Sequence, residues 1–175
     1  MSALWSRRPA ADEHPAYYTR YLDRVQVGKP PAVFGRQLAQ TLTLLDGISE
    51  AQSLARYAPG KWSIKEVLGH VTDGERIFGV RALCFARGET AELPGFDENA
   101  YVAAAGFDAR PWPALREDFR RVREATIALF DGFGDAQLER RGVANKGEVT
   151  VRALGWIIAG HEAHHLAVLR ERYPL

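Results

Sequence analysis

Hydrophobic residues recur every three or four positions along four long segments of the chain, and this spacing predicts amphipathic helices. The apolar face of the first predicted helix extends over residues 34–48. The second begins at Ser63, whose side chain can form a capping box with Glu66. It continues to about Arg87, where Gly88 provides a C-terminal stop signal.

Start and stop signals also bound the remaining helices. The third predicted helix follows Asp108 and Pro111, and the fourth extends from about Thr150 to just before Pro174. A shorter helix is predicted over residues 17–25. Because no comparable segment alternates in the manner of a β-strand, the pattern predicts an all-α protein.

Four amphipathic helices of this length predict a four-helix bundle. Residues 88–110 separate the second and third helices, whereas neighbouring antiparallel helices are usually joined by about 2–8 residues. A crossover of this length lets those two helices run parallel. A sequence likeness between residues 44–52 and 129–137 supports two related helical hairpins, although Asp-Gly turns after helices would produce the same likeness. We therefore expect an up-down-down-up bundle that forms one domain over residues 1–175, with an irregular segment at 1–14.

Composition excludes several functional classes. Hydrophobic residues make up 46% of the 175 residues and charged residues 26%, as in globular proteins. A net charge of +1 without a basic stripe argues against a nucleic-acid partner. The longest apolar stretch, residues 153–160, is too short to span a membrane, and the N-terminus lacks the apolar core of a signal peptide. With Cys84 as its single cysteine, the chain is expected to be a soluble cytoplasmic protein.

Five histidines carry the candidate chemistry. His161 and His165 lie one turn apart on the apolar stripe of the fourth helix, while His164 points about 90° away from it. Two imidazoles at this spacing can bind one metal ion, and His70, on the flank of the second helix's stripe, is the candidate third ligand. We expect His14 and His164 to lie outside the metal site. Core hydrogen bonds to each buried histidine are the alternative explanation.

Two metal motifs overlap the fourth helix. Residues 161–165 read His-Glu-Ala-His-His and match the H-E-x-x-H motif, in which Glu162 would be the general base of a metallopeptidase. Only ten residues follow His165, and no sheet for peptide binding is evident, so this interpretation is disfavoured. A di-iron bundle is also disfavoured, because it requires a second Glu-x-x-His motif that the sequence lacks. Three histidine ligands would instead leave open coordination positions, as in catalytic sites.

Three segments together resemble the DinB/YfiT-like superfamily. They are Gly-Lys-Trp-Ser-Ile-Lys-Glu-Val-Leu-Gly-His at 60–70, Leu-Pro-Gly-Phe-Asp-Glu-Asn-Ala-Tyr at 93–101 and Gly-His-Glu-Ala-His-His at 160–165. Asp73 and the Glu-Arg-Ile-Phe segment at 75–78 add to the likeness. The resemblance covers nearly the whole chain. It implies an up-down-down-up bundle, a homodimer and one divalent metal ion.

The matching metal positions are His70, His161 and His165. Members of the superfamily include bacillithiol or mycothiol S-transferases, a mycothiol-dependent isomerase and metal-dependent hydrolases. The resemblance therefore favours a metal-dependent S-transferase that activates a low-molecular-weight thiol against a small-molecule substrate. Hydrolysis by metal-activated water is the first alternative, and a metal-binding or small-molecule-binding bundle without catalysis is the second. Zinc or nickel is expected, with iron, manganese or copper as alternatives.

Several charged residues are candidates for supporting roles. Glu162, Asp73 and Glu75 could orient the ligand histidines through hydrogen bonds. Solvated helix faces are the alternative for Asp73 and Glu162. For Glu75 the alternative is a hydrogen bond inside the bundle or at a dimer seam. Arg76 and Arg81 could bind a substrate carboxylate, with surface ion pairs as the alternative.

Overall fold

Four long helices pack side by side in the computed structural model, which describes residues 4, 7–25 and 30–175. Each matches one predicted helix to within a few residues, and the all-α four-helix bundle is confirmed. The four helices are α2 (Pro30–Asp46), α4 (Ile64–Ala86), α6 (Trp112–Asp131) and α8 (Val151–Arg172).

The predicted start signals explain where two of these helices begin. The Ser63 hydroxyl accepts a hydrogen bond from the Glu66 amide at 3.0 Å, and the Ser63 amide donates to the Glu66 carboxylate at 2.7 Å. This capping box satisfies backbone groups that the first turn of α4 would otherwise leave free. The Thr150 hydroxyl caps α8 by accepting a hydrogen bond from the Ala153 amide at 3.0 Å. Gly88 has a φ of +89°, the left-handed conformation that favours glycine after a helix.

Shorter elements fill the connections. Besides the 3₁₀ turns at 11–13, 16–18 and 107–109, they are α1 (Thr19–Leu22), α3 (Glu50–Ser53), α5 (Glu98–Ala105) and α7 (Asp135–Leu138). The two similar motifs detected in the sequence lead into α3 and α7. The Ser49 amide donates to the Gln52 side chain at 3.0 Å, and the Gly134 amide donates to Gln137 at 2.7 Å. These matched caps support the interpretation that the two halves are related hairpins.

The sequence pattern did not predict a small antiparallel hairpin, β1 (Arg141–Ala144) and β2 (Gly147–Thr150). Asn145 and Lys146 form its two-residue turn with φ angles of 50° and 62°. The strands are too short for an alternating pattern to stand out, and the turn lacks the glycine that usually marks it. Leu93, in the segment between α4 and α5, forms a bridge to the hairpin.

Paired contacts between helices α4 and α6 show that they run parallel. Near their N-terminal ends, Lys65 Nζ donates to the Arg110 carbonyl at 2.7 Å. Further along both helices, Arg123 Nε donates to Glu75 Oε1 at 2.8 Å. Residue numbers therefore increase together along the two helices. The crossover predicted for residues 88–110 is confirmed.

The other helix pairs complete the topology. Gln37 Nε2 donates to the Ala159 carbonyl at 2.9 Å, and the Thr41 hydroxyl donates to Glu162 at 2.6 Å, so α2 and α8 run parallel. Helix α8 runs antiparallel to α4. His165 lies beside His70, whereas His161, which comes earlier on α8, lies against Gly74, which comes later on α4. The up-down-down-up order is thus confirmed.

A buried polar layer crosses the middle of the bundle and separates two apolar clusters. Each long helix contributes one residue, and none is more than 2% exposed. Arg123 is at the centre: its guanidinium donates two hydrogen bonds to Glu75, at 2.7 and 2.8 Å, and forms an ion pair of 2.7 Å with Glu162. The residues of this polar layer are Thr41, Glu75, Arg123 and Glu162.

The chain before α1 packs against the start of α8. Arg152, which is buried, donates to the carbonyls of Leu4 and Arg7 and pairs with Glu13. Between residues 7 and 14 the chain forms a single 3₁₀ turn and is otherwise irregular. The irregular segment predicted at 1–14 also includes residues 1–3, 5 and 6, which lie outside the described residues. No helix in the described part of the chain is long and apolar enough to cross a membrane.

Candidate metal centre

Three histidines from two antiparallel helices converge on one point. His70 is provided by α4, and His161 and His165 by successive turns of α8. Their ring centroids form a nearly equilateral triangle with sides of 4.6, 4.8 and 4.9 Å. One nitrogen from each ring lies within 4.8 Å of the other two. The structure thus brings together the three histidines that the sequence selected.

Two glycines allow the close approach around His161. A Cβ atom at Gly74 would lie 3.0 Å from His161 Cε1, so the absence of a side chain on α4 makes room for the imidazole. A Cβ atom at Gly160 would lie 2.0 Å from the carbonyl oxygen of Tyr21. Gly160 therefore lets the α1 backbone pack directly on α8, which places the Tyr21 ring 5.3 Å from the ring of His161.

The donor set fits a divalent metal ion. Nε2 of His70 and Nε2 of His161 face each other at 3.0 Å. Imidazole nitrogens bound to one tetrahedral zinc ion would lie about 3.3 Å apart, at about 2.0–2.1 Å from the metal. In the structure the closest pair of nitrogens is 3.0 Å apart, and all three lie within 4.8 Å of one another. Small side-chain adjustments would therefore place all three in one coordination sphere.

Burial keeps these imidazoles in the neutral form that a metal requires. It lowers the pKa of His70 to about 4, an effect that the Glu98 charge partly opposes. Burial, aided by the neighbouring histidines, lowers the pKa of His165 to about 2 and holds the pKa of His161 well below its usual range. Near neutral pH each ring therefore presents a nitrogen lone pair to a cation without first losing a proton.

Comparison with known proteins agrees with this architecture. Residues 34–169 match the family model of the DinB superfamily. The chain belongs to the DinB superfamily. It is 21% identical over 127 residues to a protein of Oceanobacillus iheyensis provisionally named a metal-dependent hydrolase, covering 72% of this chain and 73% of that protein. The superfamily resemblance inferred from the sequence is confirmed.

The structure also resembles that of YfiT from Bacillus subtilis, described as a probable metal-dependent hydrolase with an unusual four-helix bundle topology. The TM-score is 0.62 at 18% sequence identity, and the likeness covers 97% of both chains. At this level of identity the likeness establishes the shared fold.

The other two histidines of the DinB bundle lie outside the triad. His14 is buried, and its Nδ1 lies 3.0 Å from the Pro15 carbonyl oxygen. His164 is half-buried, and its ring packs against Tyr21 and lies 5.0 Å from the ring of His165. Neither joins the group of converging nitrogens.

The three acidic candidates for orienting the ligands have arginine partners instead. Glu75 and Glu162 bind Arg123 in the polar layer. Asp73 pairs with Arg76 at 3.0 Å on the surface of α4. Glu75 therefore follows the alternative that the sequence left open, a hydrogen bond inside the bundle. Glu162 is part of the core rather than of a solvated face.

A cavity of about 720 Å³ opens beside the triad. Aromatic rings form much of its wall: the Trp62 ring lies 4.8 Å from the His70 ring, and the Phe78 ring lies 5.9 Å from the His161 ring. Its volume is within the range of small-molecule sites, about 300–1,000 Å³. The remaining charged and polar lining residues include Tyr18, Arg20, Arg81, Glu98, Asn145 and Lys146.

Sequence reasoning missed three of the charged residues in this cavity. Glu98 begins α5, Arg20 lies in α1 and Lys146 lies in the hairpin turn. Each is far from the histidines along the chain, and only the packing of these short elements brings them to the cavity. For Glu98 a signal was present, since it lies in the segment 93–101 that carries the family resemblance.

Proposed function

We propose that this DinB-superfamily protein is a metal-dependent hydrolase in which His70, His161 and His165 hold one divalent cation. The observation that supports it most directly is the convergence of three neutral imidazoles, two buried and one half-buried, at the wall of a ligand-sized cavity. When bound, such a cation supplies a Lewis acid that allows water to ionise near neutral pH. The names of the two related proteins point to the same reaction class.

Glu98 is the proposed general base. Among the described residues that line the cavity it is the only carboxylate, and its charge acts on His70. In hydrolysis Glu98 would accept a proton from the attacking water, whose oxygen forms a bond to the acyl carbon of the substrate. Glu98 would then return the proton to the leaving group as the bond between the acyl carbon and that group breaks. Trp62 and Phe78 would limit the access of bulk water to the reacting atoms.

Elemental analysis and an ester panel test this proposal. We expect the purified protein to contain about one zinc or nickel ion per chain and to hydrolyse a p-nitrophenyl ester. His165→Ala should lose both metal and activity. Glu98→Gln should keep the metal but lose activity by about 10²–10⁴-fold, and Glu124→Gln, on the surface of α6, is the matched control. Full hydrolytic activity in Glu98→Gln would contradict the role of Glu98.

Thiol transfer, which the sequence resemblance favoured, is the second candidate. The cavity volume supports it, because about 720 Å³ accommodates both a low-molecular-weight thiol and an electrophile. The sulfur would attack a haloarene carbon, forming a C–S bond and releasing halide, while Glu98 takes the thiol proton. Turnover of chlorodinitrobenzene only with bacillithiol, mycothiol, glutathione or cysteine would support this reaction. Hydrolysis without any thiol would support the first proposal.

A protein without catalytic activity is the remaining alternative. It would lack turnover in both assays. Adding metal would not restore turnover. Turnover in either assay that a chelator abolishes would exclude this alternative.

A further inference from the structure

Three arginines are buried among the described residues, and one of them differs from the other two. Arg123 and Arg152 are 0% and 2% exposed, and both form ion pairs with glutamates. Arg81 is 4% exposed and has no carboxylate within ion-pair distance among the described residues. Because a buried guanidinium is costly unless a negative charge compensates it, Arg81 lacks the counter-ion that the other two have.

The surroundings of Arg81 hold it in place without neutralising it. Its Nη2 donates to the Pro94 carbonyl at 2.8 Å, and its Cζ lies 5.7 Å and 6.0 Å from the ring centroids of Phe78 and Phe96. Burial raises the pKa of the Tyr18 phenol, and the charge of Arg81 opposes that rise, so Tyr18 also lies near Arg81. All of these partners are neutral, and Arg81 lines the cavity.

The position of Arg81 links it to the metal centre. The Phe78 ring is near both, with its centroid 5.9 Å from that of the His161 ring and 5.7 Å from Arg81 Cζ. Arg81 Cζ therefore lies no more than about 12 Å from the centre of the His161 ring. One small molecule could place an anionic group at Arg81 and its reacting atom at the triad.

The charge of the cavity favours the same kind of ligand. Besides Arg81, its described lining contains the cations of Arg20 and Lys146 and the single carboxylate of Glu98. Arg20 packs on the Tyr17 and Tyr21 rings, with its Cζ 4.0 Å and 4.8 Å from their centroids. A divalent metal would add to this positive excess. A cavity with this balance concentrates anionic ligands.

We propose that Arg81 binds an anionic group, a carboxylate or a phosphate, of the molecule on which the histidine triad acts. This inference rests on the proposed function, because it assigns a substrate class to the same cavity. The planar guanidinium suits either group, since its N–H donors match two oxygen atoms at once. Arg76 on the same helix serves as a reference, because it pairs with Asp73 and Asp118 and does not line the cavity.

A binding experiment tests the role of Arg81 independently of turnover. Calorimetric titrations at constant ionic strength would compare glutarate with glutaramide, its neutral analogue, and would include inorganic phosphate as a further probe. We expect the metal-loaded protein to bind glutarate or phosphate at least tenfold more tightly than glutaramide. Arg81→Gln should lose at least tenfold in anion affinity, Arg81→Lys should lose less, and Arg76→Gln should match the unmodified protein.

Thermal unfolding and elemental analysis of each variant distinguish the possible failures. If folded, metal-loaded Arg81→Gln binds the anions within twofold of the unmodified protein, the proposal is wrong. It is also wrong if the unmodified protein does not prefer either anion to glutaramide. If His165→Ala loses its metal but still binds the anion through Arg81, the anion site stands whatever the reaction proves to be. Preference between glutarate and phosphate identifies which anionic group the site takes.

Discussion

Replacing Gly74 by alanine should weaken metal binding while leaving the fold intact. The new Cβ would lie 3.0 Å from His161 Cε1, so the imidazole must move by a few tenths of an ångström. Metal–ligand distances vary by only about 0.2 Å in well-formed sites, so this displacement exceeds the tolerance. We expect metal affinity to fall by about 10–100-fold, the range seen when the support of a ligand is disturbed. The helix itself should gain about 0.5–1 kcal/mol, because alanine is the better helix former.

Gly79→Ala is the matched control for this prediction. Gly79 lies on the same helix, and a Cβ there would lie 4.0 Å from Leu129 Cδ2, an ordinary contact. Both variants should show equal or higher stability without metal, measured by urea unfolding in chelator. Competition titration with a fluorescent zinc chelator should then separate them. Equal zinc affinity in Gly74→Ala and Gly79→Ala would refute the view that Gly74 positions His161.

Four further predictions concern the rest of the molecule. Elemental analysis should show that His161→Ala loses the metal while His164→Ala keeps it. Arg123→Met should destabilise the fold by about 3–5 kcal/mol in urea unfolding, because it leaves buried carboxylates without a partner. Burial raises the pKa of Glu13, but hydrogen bonds from the Ala10 amide and Arg152 outweigh this effect and lower the pKa below 4.5. The stability that the Glu13 carboxylate contributes should therefore be lost as pH falls through that lowered value. Acid unfolding of Glu13→Gln should accordingly depend less steeply on pH. Sedimentation should give a homodimer of about twice the 19.5 kDa chain mass.

Much of the fold could be predicted because each long helix carries its own local signals. The Ser63–Glu66 capping box and the Thr150 cap define the starts of α4 and α8 through backbone contacts within a few residues. The hairpin at residues 141–150 carries no comparable local signal, because its strands are short and its turn lacks glycine. Its stability depends on contacts such as the bridge to Leu93, which only the folded chain provides.

In the candidate site too, features set by local sequence could be predicted, and features set by tertiary contacts could not. His161 and His165 could be paired from helical spacing, and the apolar stripe of α4 indicated His70, since the period of a helix fixes which residues share a face. Arg81 and Arg76 could not be distinguished, because both lie on α4 and either could have met a surface acid. Their difference is tertiary: Asp118 of α6 approaches Arg76, whereas neutral groups enclose Arg81. Sequence periodicity gives the face of a residue but not its neighbours on other elements.

The polar layer explains how the bundle can hold two ligand-bearing helices in register. Glu75 follows Gly74 on α4, and Glu162 follows His161 on α8, so the contact between Gly74 and His161 lies directly beside the layer. Arg123 of α6 binds both glutamates and therefore connects α4 and α8 at this level. A buried ion pair contributes little net stability compared with apolar packing, but separating its charges is costly, and this cost opposes sliding of one helix past another. Apolar side chains could fill the same space without this cost of separation. The two helices could then slide by a few tenths of an ångström, more than the variation of about 0.2 Å that metal–ligand distances show in a well-formed site.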